Sequence, residues 1–101
     1  FYPTTYLGAE STGRLVGAVM GTHDHRKGWI NRVAVHPDWQ RRGVGRLLVE
    51  ACEEALQAAG MEIISALIEQ GNERSRRLFE RCGYVDDVPV HYYRKRRRTD
   101  I

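Results

Sequence analysis

Val33-Ala34-Val35-His36-Pro37-Asp38-Trp39-Gln40-Arg41-Arg42-Gly43-Val44-Gly45-Arg46-Leu47-Leu48 is the stretch on which the reading of this chain turns. A β-branched strand ends in a proline turn, and a basic loop punctuated by glycine opens directly into an amphipathic helix. From Arg42 onward the period changes: Val44, Leu47, Leu48, Ala51, Cys52, Ala55, Leu56 and Ala59 recur at helical spacing, one buried stripe that Gly60 stops. Upstream, Thr4 to Glu10, Arg14 to His23 and Gly28 to His36 alternate or cluster apolar residues. Ser11-Thr12-Gly13 and Asp24 to Lys27 lie between them as turns, which predicts an antiparallel meander.

Downstream, Met61 to Ile68 is a continuous apolar run, the pattern of a strand covered on both faces. Asn72 is placed to cap a second helix that carries Leu78, Phe79 and Cys82 on one face and ends at Gly83. Tyr84 to Val90, broken by Pro89, and His91 to Arg96 read as one or two short edge strands. The expected fold is α+β, a mixed, mostly antiparallel sheet flanked by two helices in the order β-β-β-α-β-α-β. Its central strand-helix-strand unit is long enough for a parallel crossover.

A length of 101 residues with 42% hydrophobic content points to one domain over residues 1–101, with a core that needs no metal or disulfide staple. The net charge of +3 rests on a tail: five consecutive basic residues, Arg94 to Arg98, lie within 94–101, and removing them leaves eleven basic against thirteen acidic residues. A basic tail of this kind is an ordinary solvated end, so nucleic acid is not an expected partner. Cys52 and Cys82 have no C-x-x-C spacing and read as small buried hydrophobes in a reducing compartment. No apolar run approaches the roughly 18 residues that span a bilayer, and Phe1-Tyr2-Pro3 lacks the cationic start of a signal peptide. The expected location is the cytoplasm, with no membrane partner.

The loop before the first helix carries the chemistry. Gly43 and Gly45 remove Cβ atoms where a ligand would approach the backbone, and the N–H groups of a first helical turn have no partners within the helix. Together with Arg41, Arg42, Arg46 and the positive end of the helix dipole, they form a site suited to a pyrophosphate. A dinucleotide-binding turn fits poorly: its third small-residue position is Leu48, and three antiparallel strands precede it. A Walker A loop is excluded because no Gly-Lys-Ser/Thr follows.

VAVHPDWQRRGVGRLL resembles the acyl-CoA-binding motif of the GCN5-related N-acetyltransferases, whose core is Q/R-x-x-G-x-G/A. NERSRRLFERCGY resembles their second motif, N-x-x-A-x-x-L-Y-x-x-x-G-F. The resemblance covers about residues 4 to 96, and its closest subgroup acetylates protein N-terminal amines. It implies transfer of acetyl from acetyl-CoA, as co-substrate, to a primary amine. It also implies that the backbone of Val33, Ala34 and Val35 pairs with pantetheine, that the amides of Arg41, Arg42, Gly43, Val44, Gly45 and Arg46 hold the pyrophosphate, and that Asn72 contacts the pantetheine arm. Members of the family usually begin with a further strand and one or two helices, which form much of the acceptor site. None is seen before Thr4, so two expectations stand: the sequence is a processed or truncated form of a longer protein, or the acceptor wall comes from another subunit, as in a homodimer.

The same resemblance exposes a departure. The family's tyrosine proton donor corresponds to Phe79, and its usual carboxylate-base positions fall at Trp29, Asn31 and Leu67. Tyr84, Tyr92 and Tyr93 are substitutes for the acid, and Glu69, on the same strand face as Leu67, is the carboxylate left for a base. The other reading is a CoA-binding module with little turnover. His36 belongs to the Pro37 turn, His23-Asp24-His25 to a polar hairpin tip rather than a metal site, and no metal is expected. On the second helix, Arg81 is the arginine assigned to CoA phosphate, with Arg74, Arg76 and Arg77 facing solvent.

Overall fold

A computed structural model describes residues 4–68, 71–86, 93 and 95. Strands β1 (Thr4–Ser11), β2 (Arg14–His23) and β3 (Lys27–Val35) form the meander. After the short 3-10 turn Pro37–Trp39 come helix α1 (Val44–Ala58), strand β4 (Ile63–Ser65) and helix α2 (Glu73–Arg81). The sheet runs β1-β2-β3-β4, antiparallel except for the parallel β3/β4 pair reached through α1. The α+β reading and the parallel crossover therefore hold.

Local chemistry explains the ends of the elements. Thr12 and Gly13 both have positive φ, 50° and 79°, as a tight two-residue hairpin with the twist of its strands requires. Both helices close in the same way. Gly60 donates to Gln57 O at 2.9 Å and Met61 to Leu56 O at 3.1 Å, while Gly83 donates to Glu80 O at 3.1 Å and Tyr84 to Phe79 O at 3.0 Å. These paired bonds satisfy carbonyls that a helix end leaves orphaned, and in each case an apolar residue past the glycine is brought back over the last turn.

One face of the sheet packs against α1 through Val19, Ile30, Leu48, Val49, Cys52, Leu56, Met61 and Phe79. Close approach is possible because glycine sits beneath the helix: a Cβ on Gly17 would lie 2.9 Å from Leu48 Cδ1, and one on Gly21 2.6 Å from Cys52 Sγ. Asn31 is an extra residue on β3, where the register passes from Met20↔Arg32 to Gly21↔Ile30. This bulge reverses the strand's alternation, so Gly28 and Ile30 face the helix before it and Val33 and Val35 face it afterwards.

Three boundaries differ from expectation. The strand predicted over Met61 to Ile68 contracts to Ile63–Ser65, paired only as Lys27↔Ile63, Gly28↔Ile64 and Trp29↔Ser65. Pairing stops where the β3 bulge begins, and among the described residues one face is left open, with Ile63 57% and Leu67 66% exposed, while Ile64, Ala66 and Ile68 pack against the core. Helix α1 starts at Val44 rather than Arg42, because Gly43 takes φ 86° and turns the chain into the helix from the left-handed region. Tyr84 to Asp86 are not in a strand. The remainder of the two predicted edge strands lies outside the described residues, Tyr93 and Lys95 excepted.

Candidate functional site

The open edge of β3 forms one side of the site. His36 N–H donates to Val16 O on β2 at 2.8 Å, so the preceding residue turns its polar groups the other way. Val35, and two residues earlier Val33, therefore present N–H and C=O toward the β4 side. No strand pairs with them there among the described residues. Ala34 alternates back toward β2, opposite Ala18, and a Cβ on Gly17 would lie 3.1 Å from its carbonyl oxygen. Of the three residues expected to pair with an extended arm, Val33 and Val35 have the geometry. Ala34 does not, since its hydrogen-bonding groups belong to the sheet.

The other side is the start of α1. The first bond of the helix runs from Leu47 N to Gly43 O at 3.1 Å. None of the backbone N–H groups from Arg41 to Arg46 donates to a described residue, no described side chain caps the helix, and its first turn carries no acidic residue. Arg41 (φ 62°) and Gly43 (φ 86°) are both left-handed with a single residue between them, an alternation that gathers successive N–H groups into an anion-binding concavity. Holding a non-glycine residue there costs Arg41 about 1 kcal/mol.

The glycines serve different ends. A Cβ on Gly43 would meet none of the described residues within 4 Å, so conformation is what that position demands. A Cβ on Gly45 would lie 3.3 Å from Leu78 Cδ2, so its missing side chain lets α2 approach α1. The expectation that Gly45 makes room for a ligand is replaced by helix packing. The arginines also divide: Arg46 pairs with Glu50 at 3.4 Å, Arg42 stacks over Trp39 at 4.2 Å from the ring centre, and Arg41 is exposed.

Asn72 caps α2, its Oδ1 accepting from Ser75 N at 3.2 Å. Sequence reasoning passed over Gln40, the first residue of the glycine-bearing motif. Its Nε2 donates to Val35 O at 3.2 Å, and its Oε1 accepts from Arg74 Nη1 at 2.8 Å. The motif spacing was the available signal, but only the fold brings Arg74 from the second motif to it. Arg74 is exposed, as expected, and in addition holds this bond.

The acid–base candidates separate. Glu69 and Tyr92 lie outside the described residues, and Tyr93 is 90% exposed. Phe79 belongs to the core, its ring edge-on to Tyr84 at 5.1 Å between centroids. The Tyr84 hydroxyl is buried with no hydrogen-bond partner among the described residues; burial, and after it the Glu53 carboxylate, push its pKa well above the ordinary tyrosine value. It is a fixed phenol within the packing. His36 Nδ1 accepts from Asp38 N at 3.1 Å and belongs to the proline turn.

Where β3 and β4 part, a depression of about 260 Å³ is lined by Thr22, His23, Asp24, Trp29, Asn31 and Leu67. Trp29, Asn31 and Leu67, the positions that correspond to the family's usual carboxylate bases, share this depression with Asp24. Asp24 Oδ1 accepts from Lys27 N at 2.8 Å and Arg26 N at 3.0 Å, and these bonds, Lys27's first, hold its pKa below 3.8. Among the described residues no group of three or more His, Cys, Asp or Glu is arranged to hold a metal ion, and no helix is long and apolar enough to cross a membrane.

Comparison with known proteins shows the family and the fold. The acetyltransferase (GNAT) family model matches residues 1–84. An acetyltransferase of Pectobacterium atrosepticum is 33% identical over 82 residues, covering 81% of this chain and 58% of that protein. One of Sodalis glossinidius is 32% identical with the same coverage. The chain thus spans less than two thirds of the length of these relatives. Among solved structures, the aminoglycoside acetyltransferase AAC(6')-Iy, bound to a CoA-based bisubstrate analog, superposes with a TM-score of 0.86 at 20% identity, covering 92% of this chain and 69% of that one. A ribosomal-protein-alanine N-acetyltransferase of Brucella melitensis superposes with a TM-score of 0.78 at 21% identity, covering 91% and 71%. Two acceptor chemistries thus share the fold, so the fold likeness selects neither. With a family model over most of its length and both motifs in place, the chain belongs to the GNAT acetyltransferase family.

Proposed function

We propose that residues 1–101 act as a single N-acetyltransferase domain that moves an acetyl group from acetyl-CoA to a primary amine by direct attack. The observation that carries the reading is the row of N–H groups from Arg41 to Arg46, which no described residue engages and no acidic side chain of the first turn neutralises. A diphosphate fits that row, and an amide-bearing arm running from it meets the open edge at Val35 and Val33. Asn72 flanks the same arm from α2, its cap bond to Ser75 leaving the side-chain NH2 available.

The chemistry asks three things of the protein. The acceptor, an amine of pKa about 10.4, must lose a proton before it attacks the thioester carbonyl. An N–H must hold the oxyanion that forms, and the Val33 amide on the open edge supports that assignment. The departing thiolate, with a thiol pKa of about 8.5, must gain a proton or leave as the anion. We assign the base to Glu69, and we take the thiolate to leave without a dedicated tyrosine, since Phe79 carries no proton to give. The free thiols of Cys52 and Cys82 support a reducing, cytoplasmic setting. The amine acceptor, small molecule or peptide amine, meets a wall supplied outside the described residues, which a homodimer would provide.

The second reading, a CoA-binding module with little turnover, is favoured by one observation: Phe79 and the Tyr84 hydroxyl both belong to the interior packing. Calorimetric titration with acetyl-CoA, followed by release of free CoA over a panel of amines and peptide N-termini, decides between them. Binding with turnover on some acceptor supports transfer, and binding with none across the panel supports the module. Failure to bind removes both.

A further inference from the structure

Gln40 stands between the two walls of the cleft. One end of its amide donates to the last carbonyl of β3, at Val35, and the other accepts from Arg74 in the first turn of α2, 34 residues further on. The relay joins the strand edge, the loop that begins at Arg41 and the second helix. It also fixes a positive charge. Arg46 and Arg76 are matched by Glu50 and Glu73 on their own helices, at 3.4 and 3.0 Å, and Arg42 covers Trp39. Arg74 instead meets a neutral amide oxygen 2.8 Å away, and no described carboxylate lies within ion-pair distance of it.

A guanidinium has five N–H donors in a planar fork, and a single bond to an amide oxygen leaves four of them and the whole charge for another acceptor. Fork geometry suits a phosphate, and a guanidinium shielded by no carboxylate offers it more attraction than an already paired one. Aligning such a side chain in advance lowers the entropy lost when a ligand binds.

We infer that Arg74 is a phosphate-binding residue that carries the anion site across from α1 to α2, and that Gln40 is the positioning residue that aims it there while anchoring the Val35 carbonyl. The ligand class is a phosphorylated pantetheine thioester, so the inference rests on the reading given under Proposed function. It moves the helix-borne phosphate contact from Arg81, where the sequence alone placed it, to Arg74.

The test uses two ligands that differ in phosphate: acetyl-CoA and S-acetylpantetheine, titrated into the full chain and its variants. Arg74→Ala is expected to weaken acetyl-CoA about tenfold, the size of one lost charge-assisted hydrogen bond, and to leave S-acetylpantetheine within about twofold. Arg74→Lys is expected to recover part of the loss. Gln40→Ala is expected to weaken both ligands, and its effect with Arg74→Ala to be less than additive, as for residues in one network. Melting temperatures of all variants check that each is folded. The inference is overturned if Arg74→Ala binds acetyl-CoA as the wild type does, or if it weakens both ligands equally. A wild-type chain that binds S-acetylpantetheine but loses nothing without phosphate overturns it too, while the strand-edge part of the proposed function survives. A wild-type chain that binds neither ligand removes the proposed function and this inference together.

Discussion

Gly45 and Leu78 lie in contact across the two helices: the nearest Leu78 methyl carbon would be 3.3 Å from a Cβ at Gly45, while Gly43, two residues earlier, opens onto unoccupied space. The two glycines of one motif therefore answer to different forces. Gly43 is bound by its φ of 86°, Gly45 by its neighbour.

Substitution separates them. Gly43→Ala is expected to lose about 1 kcal/mol of stability through left-handed strain and to keep its CoA affinity. Gly43→Asp should fold comparably and lose CoA binding, because its carboxylate faces the phosphates. Gly45→Ala presses on a flexible Leu methyl and gains helix propensity of up to about 1 kcal/mol, so its net change should be small. Chemical denaturation and calorimetry read both quantities. An unchanged CoA affinity in Gly43→Asp would refute the phosphate assignment at the start of α1.

Phe79→Tyr restores the residue type of the family motif, yet Phe79 is only 6% exposed, within the apolar cluster. The added hydroxyl enters packing where the Tyr84 hydroxyl already lacks a partner among the described residues, so a loss of about 1–3 kcal/mol is expected, with CoA affinity intact. Thermal melts and CoA titration check this. A variant as stable as the wild type would mean that the new hydroxyl reaches the cleft.

Gly21 and Cys52 form a second close pair, with 2.6 Å between a Cβ at residue 21 and the Cys52 sulfur. Gly21→Ala is expected to destabilise by about 1–3 kcal/mol through overpacking beneath α1. Cys52→Ala in the same chain should relieve part of that loss, a coupling that a double-mutant cycle measures. Strict additivity would mean that the strain falls elsewhere.

The β2–β3 turn should respond to acid. Because the N–H groups of Lys27 and then Arg26 hold the Asp24 pKa below 3.8, its contribution is complete above 3.8 and is lost as pH falls through the lower folded value. Amide shifts of Arg26 and Lys27 followed by NMR should show an acid step with its midpoint below 3.8, and in Asp24→Ala that step should vanish. A titration midpoint for Asp24 at or above 3.8 would contradict the assignment.

Much of this architecture was readable one residue at a time. The stripe from Val44 to Leu56, the Asn72 cap and the stops at Gly60 and Gly83 depend on neighbours within a few positions, and each is found where local chemistry puts it. The Met61 to Ile68 run misled because apolar content specifies burial in general and says nothing about how far a partner strand stays alongside. The bulge at Asn31 set that limit.

Linear order was thus sufficient for the two motifs, the meander and the glycine-marked start of α1, since turn chemistry and period act at short range. It could not reveal which peptide groups of β3 face the open edge, that Gly45 serves Leu78, or that Gln40 and Arg74 meet. Those relationships join residues far apart in the chain, and they exist only once the bulge, the crossover and the packing of α2 on α1 have set the distances between them.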